Sequence, residues 1–326
     1  MNSPHPPLRW GVLGTASIAI RRVIPALRAS LHNEIAAVAS RTRMRAERVA
    51  TDAGIPRAYG SYEDLVGDPA IDAVYIPLPN HLHVPWSIRA LDAGKHVLCE
   101  KPLAISAAEA RVLADAARER PDLVVMEGFM YRSHPRWREV RRRVEAGAVG
   151  VLGNIHTVFS YDNRNAADIR NQANTGGGAW LDIGCYGVSV ARWLFGTEPV
   201  SVSARMQRDP VFGTDRLTTA LLEFPAGTAT VTCATQLAPH QSVAIHGTQG
   251  RIELELPFNP PTDRPTAIRW YRGAEVEETL IDPCDQFVEQ VDAFAAAVRR
   301  IAPPPISLED SIANLVVLDH ASDAVT

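Results

Sequence analysis

The stretch Leu8-Arg9-Trp10-Gly11-Val12-Leu13-Gly14-Thr15-Ala16-Ser17-Ile18-Ala19 reads as a short apolar strand, a glycine turn and the start of a helix. Aligned on the pattern G-x-G-x-x-G/A, its three small positions are Gly14, Ala16 and Ala19. Gly14 permits a tight turn, and the helix N-terminus behind it offers backbone N–H groups to a pyrophosphate. Ala16 stands where a second glycine would let the backbone approach most closely, so the motif alone is weak. Its setting strengthens it, because a strand precedes it, a helix follows and a βαβ unit begins there. Thr15, Ser17 and Ile18 complete the loop expected against the phosphates.

Working outward, apolar runs at 8–13, 35–39, 73–76, 96–99 and 123–126 alternate with helical patterns at 18–29, 43–53, 83–93 and 107–118. Parallel strands need crossover helices, so this alternation predicts a doubly wound parallel sheet of the Rossmann kind over residues 1–127. Gly54 and Gly94 stand where helices should end. After residue 150 strand-like stretches follow one another at 153–161, 200–207, 218–224, 228–234, 242–246, 251–255 and 267–271, separated by turn signals such as Pro225-Ala226-Gly227. They predict a mainly antiparallel, open-faced sheet in an α+β domain over 128–306, with helices at 179–195 and 285–300. Ala302-Pro303-Pro304-Pro305 reads as a stiff linker. Ser307 with Asp310 forms a capping-box-like start to a last helix within 307–326, expected to pack back near the first domain.

The end of the second strand bears on the nucleotide. A site selective for NAD places Asp or Glu there, against the ribose 2′-hydroxyl; this chain has Ser40-Arg41, with Arg43 and Arg45 close behind. A carboxylate would repel a 2′-phosphate, whereas a hydroxyl and a guanidinium bind it. Ser40, Arg41 and Arg45 therefore predict NADP, while Arg43 reads as a solvated helix start.

Composition excludes other classes. The 326 residues are 46% apolar and 21% charged, with a net charge of −4. That gives no footprint for nucleic acid or an anionic membrane, and no apolar run is long enough to span a bilayer. Residues 1–7 carry no signal-peptide pattern, and Cys99, Cys185, Cys233 and Cys284 show neither a C-x-x-C pair nor metal-ligand spacing. A cytoplasmic protein with reduced thiols and no metal is the expectation. His81 and His83, two apart with no convergent carboxylate, do not make a metal site.

Tyr75-Ile76-Pro77-Leu78-Pro79-Asn80-His81-Leu82-His83 and Cys99-Glu100-Lys101-Pro102 fall at the carboxyl ends of parallel strands, where open α/β sheets bind ligands. Together with Glu127-Gly128-Phe129-Met130-Tyr131-Arg132-Ser133-His134-Pro135 and Gly176-Gly177-Gly178-Ala179-Trp180-Leu181-Asp182-Ile183-Gly184-Cys185-Tyr186, they resemble the glucose–fructose oxidoreductase / inositol dehydrogenase (Gfo/Idh/MocA) family. The resemblance runs over most of the chain. It is closest to the branch with tyrosine at the last position of D-x-x-x-Y, which includes aldose dehydrogenases, dihydrodiol dehydrogenases and sugar 3-ketoreductases.

The resemblance implies an NADP-dependent sugar oxidoreductase that oxidises an aldose at C1, with Lys101, Tyr186 and Asp182 in catalysis. It places Leu78, Pro79, Asn80, His83, Glu100 and Lys101 near the cofactor. It also implies a homodimer or homotetramer formed through the C-terminal sheet. The chemistry is consistent: alcohol oxidation needs a base for the hydroxyl proton, and a lysine ammonium favours the phenolate of a neighbouring tyrosine. Asp182 and Tyr186, four apart on a helix, share a face. Arg170 touches cofactor or substrate, or forms an inter-subunit ion pair. Trp180 is a sugar platform or ordinary packing. Keto-sugar reduction and dihydrodiol oxidation use the same residues, and a nucleotide-binding sensor without turnover is the alternative from another class.

Overall fold

The computed structural model describes residues 5–323; the leader at 1–4 and the end of the expected last helix, 324–326, lie outside the described residues. The chain divides into two compact units, each built on its own sheet.

In the first unit, strands β1 (Leu8–Leu13), β2 (Asn33–Ala39), β3 (Arg57–Tyr59), β4 (Ala73–Ile76), β5 (His96–Glu100) and β6 (Val125–Gly128) pair only in parallel, in the order β3-β2-β1-β4-β5-β6. That is the Rossmann order, with its switch point between β1 and β4. Helices α1 (Ile24–Ala29), α2 (Arg43–Asp52), α3 (Tyr62–Val66), α4 (His83–Asp92) and α5 (Ala107–Arg118) make the crossovers. A π-helical turn, Ala19–Val23, precedes α1. Gly54 and Gly94 end α2 and α4 as expected. The strand β3 left no apolar signal: Arg57 and Tyr59 both bind Asp68, so polar contacts hold this edge.

The second unit enters through α6 (Pro135–Glu145), a helix that the apolar pattern did not announce. Five arginines crowd it, and its apolar stripe is essentially Trp137 and Val140. Both polar ends of its core contacts are satisfied on the strand-end carbonyls of residues 255–257. Arg136 donates to Glu255 and Leu256 at 3.0 and 2.7 Å, and Trp137 Nε1 donates to Pro257 at 2.7 Å. The eight-stranded sheet then comprises β7 (Leu152–Asp162), β8 (Ser201–Arg208), β9 (Asp215–Phe224), β10 (Gly227–Ala234), β11 (Gln236–Gly247), β12 (Arg251–Glu255), β13 (Thr266–Arg272) and β14 (Glu275–Ile281), with α7 (Cys185–Phe195) between β7 and β8. Its order is β14-β13-β12-β11-β7-β10-β9-β8, and every pair is antiparallel except β7 with β10. The unpredicted β14 is an edge strand rich in glutamate, which reads as loop in a sequence but protects an edge from pairing. Along β9, Ala220, Leu222 and Phe224 are buried while Thr219, Leu221 and Glu223 are exposed, so one sheet face is packed and the other open.

The expected boundary at 127/128 is displaced. Residues Ala108–Ser133 and Asp285–Ser311 fold with the first unit, and Ile105–Ala107, His134–Cys284 and the chain from Ile312 with the second. Helix α8 (Gln286–Val298) joins the first unit because Phe294 packs on Trp10 (centroids 4.9 Å) and Asp292 accepts from Ser30 and Asn33. Ser307 caps α9 (Leu308–Asp323) by accepting from the Asp310 N–H at 3.2 Å. That helix begins in the first unit and continues in the second.

His134 caps α6, its Nδ1 accepting from the Arg136 N–H at 3.0 Å. Burial, with Arg136 and Arg138 nearby, holds this imidazole down at about 4. An unfolded chain protonates it near 6.5. The unfolded state therefore binds the extra proton between pH 6.5 and 4, and about 3 kcal/mol of stability present above 6.5 is lost as the pH falls through that window. Asparagine still caps but does not titrate. His134→Asn is expected to show a smaller fall in thermal midpoint between pH 6.5 and 4 than the parent, measured by circular dichroism at a series of pH values.

Candidate active site

The first unit carries the residues expected to meet the nucleotide. Gly14 follows β1 with φ +111°, and a Cβ there would lie 3.1 Å from Leu78 Cδ2. Any other residue would be strained and would push on the β4 loop. Thr15 is buried, Ala16 and Ile18 are partly exposed and Ser17 is exposed, where the chain enters the π turn and α1. At the end of β2, Ser40 is buried, its N–H donating to Tyr59, while Arg41 and Arg45 are exposed. Arg45 reaches back to the Thr15 carbonyl at 3.5 Å. Tyr62 stands beside both: Arg41 and Arg45 oppose the upward push that burial gives its phenol. Its hydroxyl lies 3.8 Å from the Cβ position of Gly14, and its ring meets Trp86 edge-on at 5.1 Å. Tyr62 escaped the sequence reading because only the fold brings α3 to the phosphate loop. Arg43 instead pairs with Glu47 on its own helix at 2.8 Å. The set fits a phosphorylated dinucleotide: a positive-φ glycine turn, a helix start, and two exposed guanidiniums with no carboxylate at the end of β2.

At the neighbouring strand ends, Tyr75 donates to Glu100 Oε1 at 2.6 Å, and Lys101 is partly exposed just beyond β5. Pro79 and Asn80 are also partly exposed. His83 differs from the cofactor-contacting place that the resemblance implied. It is fully buried, with Nδ1 2.8 Å from the Pro102 carbonyl oxygen and Nε2 2.7 Å from that of Leu78, which leaves neither nitrogen for a sugar hydroxyl. Burial holds this ring neutral, its pKa down at about 4.

The second unit carries the other group. Gly178 has φ +122°, and a Cβ there would run into the Asp215 carboxylate. That carboxylate accepts from the Trp180 N–H and the Thr218 hydroxyl, both at 2.8 Å, and so caps the helix. The first turn of that helix is π-helical, Trp180–Gly184, a geometry frequent at functional sites. Asp182 sits within it and accepts from the Tyr161 hydroxyl at 2.6 Å and Arg170 Nε at 3.1 Å. Asp182 holds the Arg170 guanidinium well above its ordinary range, and burial with Asp182 raises the Tyr161 phenol. Arg170 forms ion pairs with Asp168 and Asp182, at 3.3 and 3.1 Å. Tyr186 is 5% exposed, its ring in an aromatic cluster with Phe258 at 4.9 Å and Phe159 at 5.7 Å. Trp180 is core: it is 2% exposed and donates to the Leu318 carbonyl at 3.0 Å. Tyr161 and Asp215 lie 21 and 35 positions from their partners and carried no sequence signal.

Cys99, Cys185 and Cys233 are buried thiols, and burial pushes Cys99 and Cys233 up, away from nucleophilic character. Among the described residues no group of His, Cys, Asp or Glu is arranged to hold a metal, and no helix is long and apolar enough to cross a membrane.

A Rossmann unit followed by an open-faced sheet, with these residues at the strand ends and on a glycine-led helix, defines a dinucleotide-dependent oxidoreductase. Residues 8–129 match the NAD-binding Rossmann model of the Gfo/Idh/MocA oxidoreductases, and residues 137–253 match a C-terminal domain of the same group. The chain belongs to the Gfo/Idh/MocA family. It is 39% identical to a D-xylose 1-dehydrogenase (NADP(+)) of Haloferax volcanii, over 96% of this chain and 95% of that one. It is 41% identical to a dTDP-3,4-didehydro-2,6-dideoxy-alpha-D-glucose 3-reductase of Streptomyces violaceoruber, over 90% and 86%. A crystal structure of a 3-ketoreductase from Actinomadura kijaniata with NADP and TDP-benzene superposes with a TM-score of 0.91 at 35% identity, covering 98% of each chain. These relatives place the chain among NAD(P)-dependent oxidoreductases acting on sugars.

Proposed function

We propose that the protein oxidises the C1 hydroxyl of an aldopyranose to the lactone with NADP as acceptor. The observation that carries this reading is that the first unit presents Ser40, Arg41 and Arg45, with no acidic residue at the end of β2, and Lys101 beyond β5, while the second unit carries Asp182 and Tyr186 on one helix start. Gly14, Thr15, Ala16, Ser17 and Ile18 would hold the pyrophosphate; Ser40, Arg41 and Arg45 the 2′-phosphate; Leu78, Pro79, Asn80, Glu100 and Lys101 the nicotinamide end. The chemistry that bound NADP would supply there is that of a hydride acceptor for C1. Tyr186 takes the hydroxyl proton, Lys101 favours its phenolate, and Asp182, held by Tyr161 and Arg170, fixes the helix start on which Tyr186 depends. The same residues run backwards as a general acid, so reduction of a nucleotide-linked keto sugar is a second reading. It is supported by the reductases among the relatives.

Purified protein is to be incubated with NADP and a panel of aldoses, and in parallel with NADPH and a dTDP-linked 3-keto sugar, with products identified by mass spectrometry. Lactone from an aldose supports the first reading, and hydroxy sugar from the keto substrate alone supports the second. Nucleotide binding without turnover of any kind would return the protein to the class of sensors.

Two further results are expected. Arg41→Ala removes a charge-assisted contact of about 1.5–3 kcal/mol. NADP affinity in a fluorescence titration should fall by roughly tenfold or more while NAD affinity stays nearly unchanged; equal losses would mean that Arg41 serves the fold. The protein is also expected to form a homodimer or homotetramer through the open face of the second-unit sheet, where Thr228, Thr230 and Thr232 stand on β10. Light scattering giving a monomer mass at micromolar concentration would overturn this. We place the enzyme in the cytoplasm, where its four thiols stay reduced.

A further inference from the structure

Two buried titratable side chains of the first unit converge on one peptide group. The Leu103 N–H donates to Glu127 Oε1 at 2.8 Å, and the carbonyl of the same peptide, that of Pro102, lies 2.8 Å from His83 Nδ1. Glu127 is 2% exposed and His83 is fully buried. Each side chain is rooted in a different strand end. Glu127 belongs to β6, and His83 opens α4 and also meets the Leu78 carbonyl beyond β4 at 2.7 Å. The ring thus spans two carbonyls, and each neutral tautomer donates to one of them.

The position of this peptide matters. Proline has no N–H, so the Lys101–Pro102 peptide has no donor by which it can be held. The next peptide, Pro102–Leu103, is the first after Lys101 that can be gripped at both its donor and its acceptor: Glu127 accepts from its N–H, and the Nδ1–H tautomer of His83 donates to its carbonyl. Burial holds the imidazole neutral and pushes the Glu127 carboxyl up to about 7. The titratable groups facing them are Lys101 and His81 on His83, and Asp310 and Lys101 on Glu127. Packing alone would fill this space with apolar residues, whereas two buried polar side chains aimed at one peptide specify where the backbone runs.

We propose that Glu127 and His83 are positioning residues for Lys101, clamping the Pro102–Leu103 peptide from its two sides and so setting where the lysine leaves β5. The inference rests on Lys101 being the proton-handling cation of the proposed reaction.

The sequence supplies a clean test, since it holds only two lysines, Lys95 and Lys101. Lys95 is buried, its Nζ donating to the carbonyls of Asp68 and Ile71, each at 2.8 Å, and so serves as an internal reference. Trace acylation of the full-length protein with acetic anhydride, quantified by mass spectrometry, reads Lys101 without any substrate. Glu127→Ala is expected to change the Lys101 acylation rate at least threefold relative to Lys95. It should also lower kcat at least tenfold while leaving the KM for NADP within threefold. Glu127→Gln keeps an oxygen to accept from Leu103 and should restore both quantities to within threefold of the parent. His83→Phe, which fills the space without ring nitrogens, should move Lys101 in the same direction, and it serves as the test if Glu127→Ala does not fold. An unchanged Lys101 rate in the folded variants overturns the clamp, as does a Glu127→Gln variant as impaired as Glu127→Ala. Full turnover by Lys101→Ala would instead refute the catalytic reading of the lysine, and the acylation rates alone then decide the clamp.

Discussion

Replacing Tyr186 by phenylalanine is expected to lower kcat on the best sugar substrate by about 10²–10⁴, the usual worth of general acid–base assistance. The substitution removes one hydroxyl and nothing else from the aromatic cluster. The ring would still pack on Phe258 and Phe159, so the thermal midpoint should hardly change. NADP affinity should also be retained, because the residues proposed to hold the nucleotide belong to the other unit. Steady-state kinetics beside a cofactor titration separate the two effects. A variant that turns over within threefold of the parent would show that another group moves the proton. A variant that loses NADP binding would show that Tyr186 supports the cofactor instead.

Much of this arrangement was legible in the chain, and the illegible part has a physical pattern. The run from Leu8 to Ala19 could be read because strand, turn and helix start are local, each set by residues a few positions apart. The family could be read because the segments around Lys101 and Tyr186 follow its residue order. What was missed depends on distant residues meeting. The cap of the helix that carries Asp182 and Tyr186 is Asp215, on β9, and the partner of Asp182 is Tyr161, on β7. The family resemblance put His83 near the cofactor; only its burial between two carbonyls shows that it holds the loop. Helix α6 and strand β14 were hidden by their charge. In α6, ion pairs such as Arg143 with Glu139 occupy positions that an amphipathic pattern would show as plain surface, and β14 carries glutamates suited to an edge.

Removing the lysine should be at least as damaging as removing the phenol. On the proposed mechanism, Lys101→Ala would take away the positive charge that favours the phenolate of Tyr186, and with it a donor to the sugar hydroxyl. Lys101→Arg keeps a charge but spreads it over a planar fork of different reach, so it should restore only a small part of the rate. The sharper test is the double variant. Residues that act as one proton-handling unit lose most of their joint contribution when either is removed. If Lys101 and Tyr186 form such a unit, Lys101→Ala with Tyr186→Phe should be slower than the worse single variant by less than about tenfold. Losses that multiply in full would mean that the two residues act independently. Single-turnover measurements with saturating NADP keep cofactor binding out of the comparison. The rate ratio across the four proteins then reports the coupling between the ammonium and the phenol.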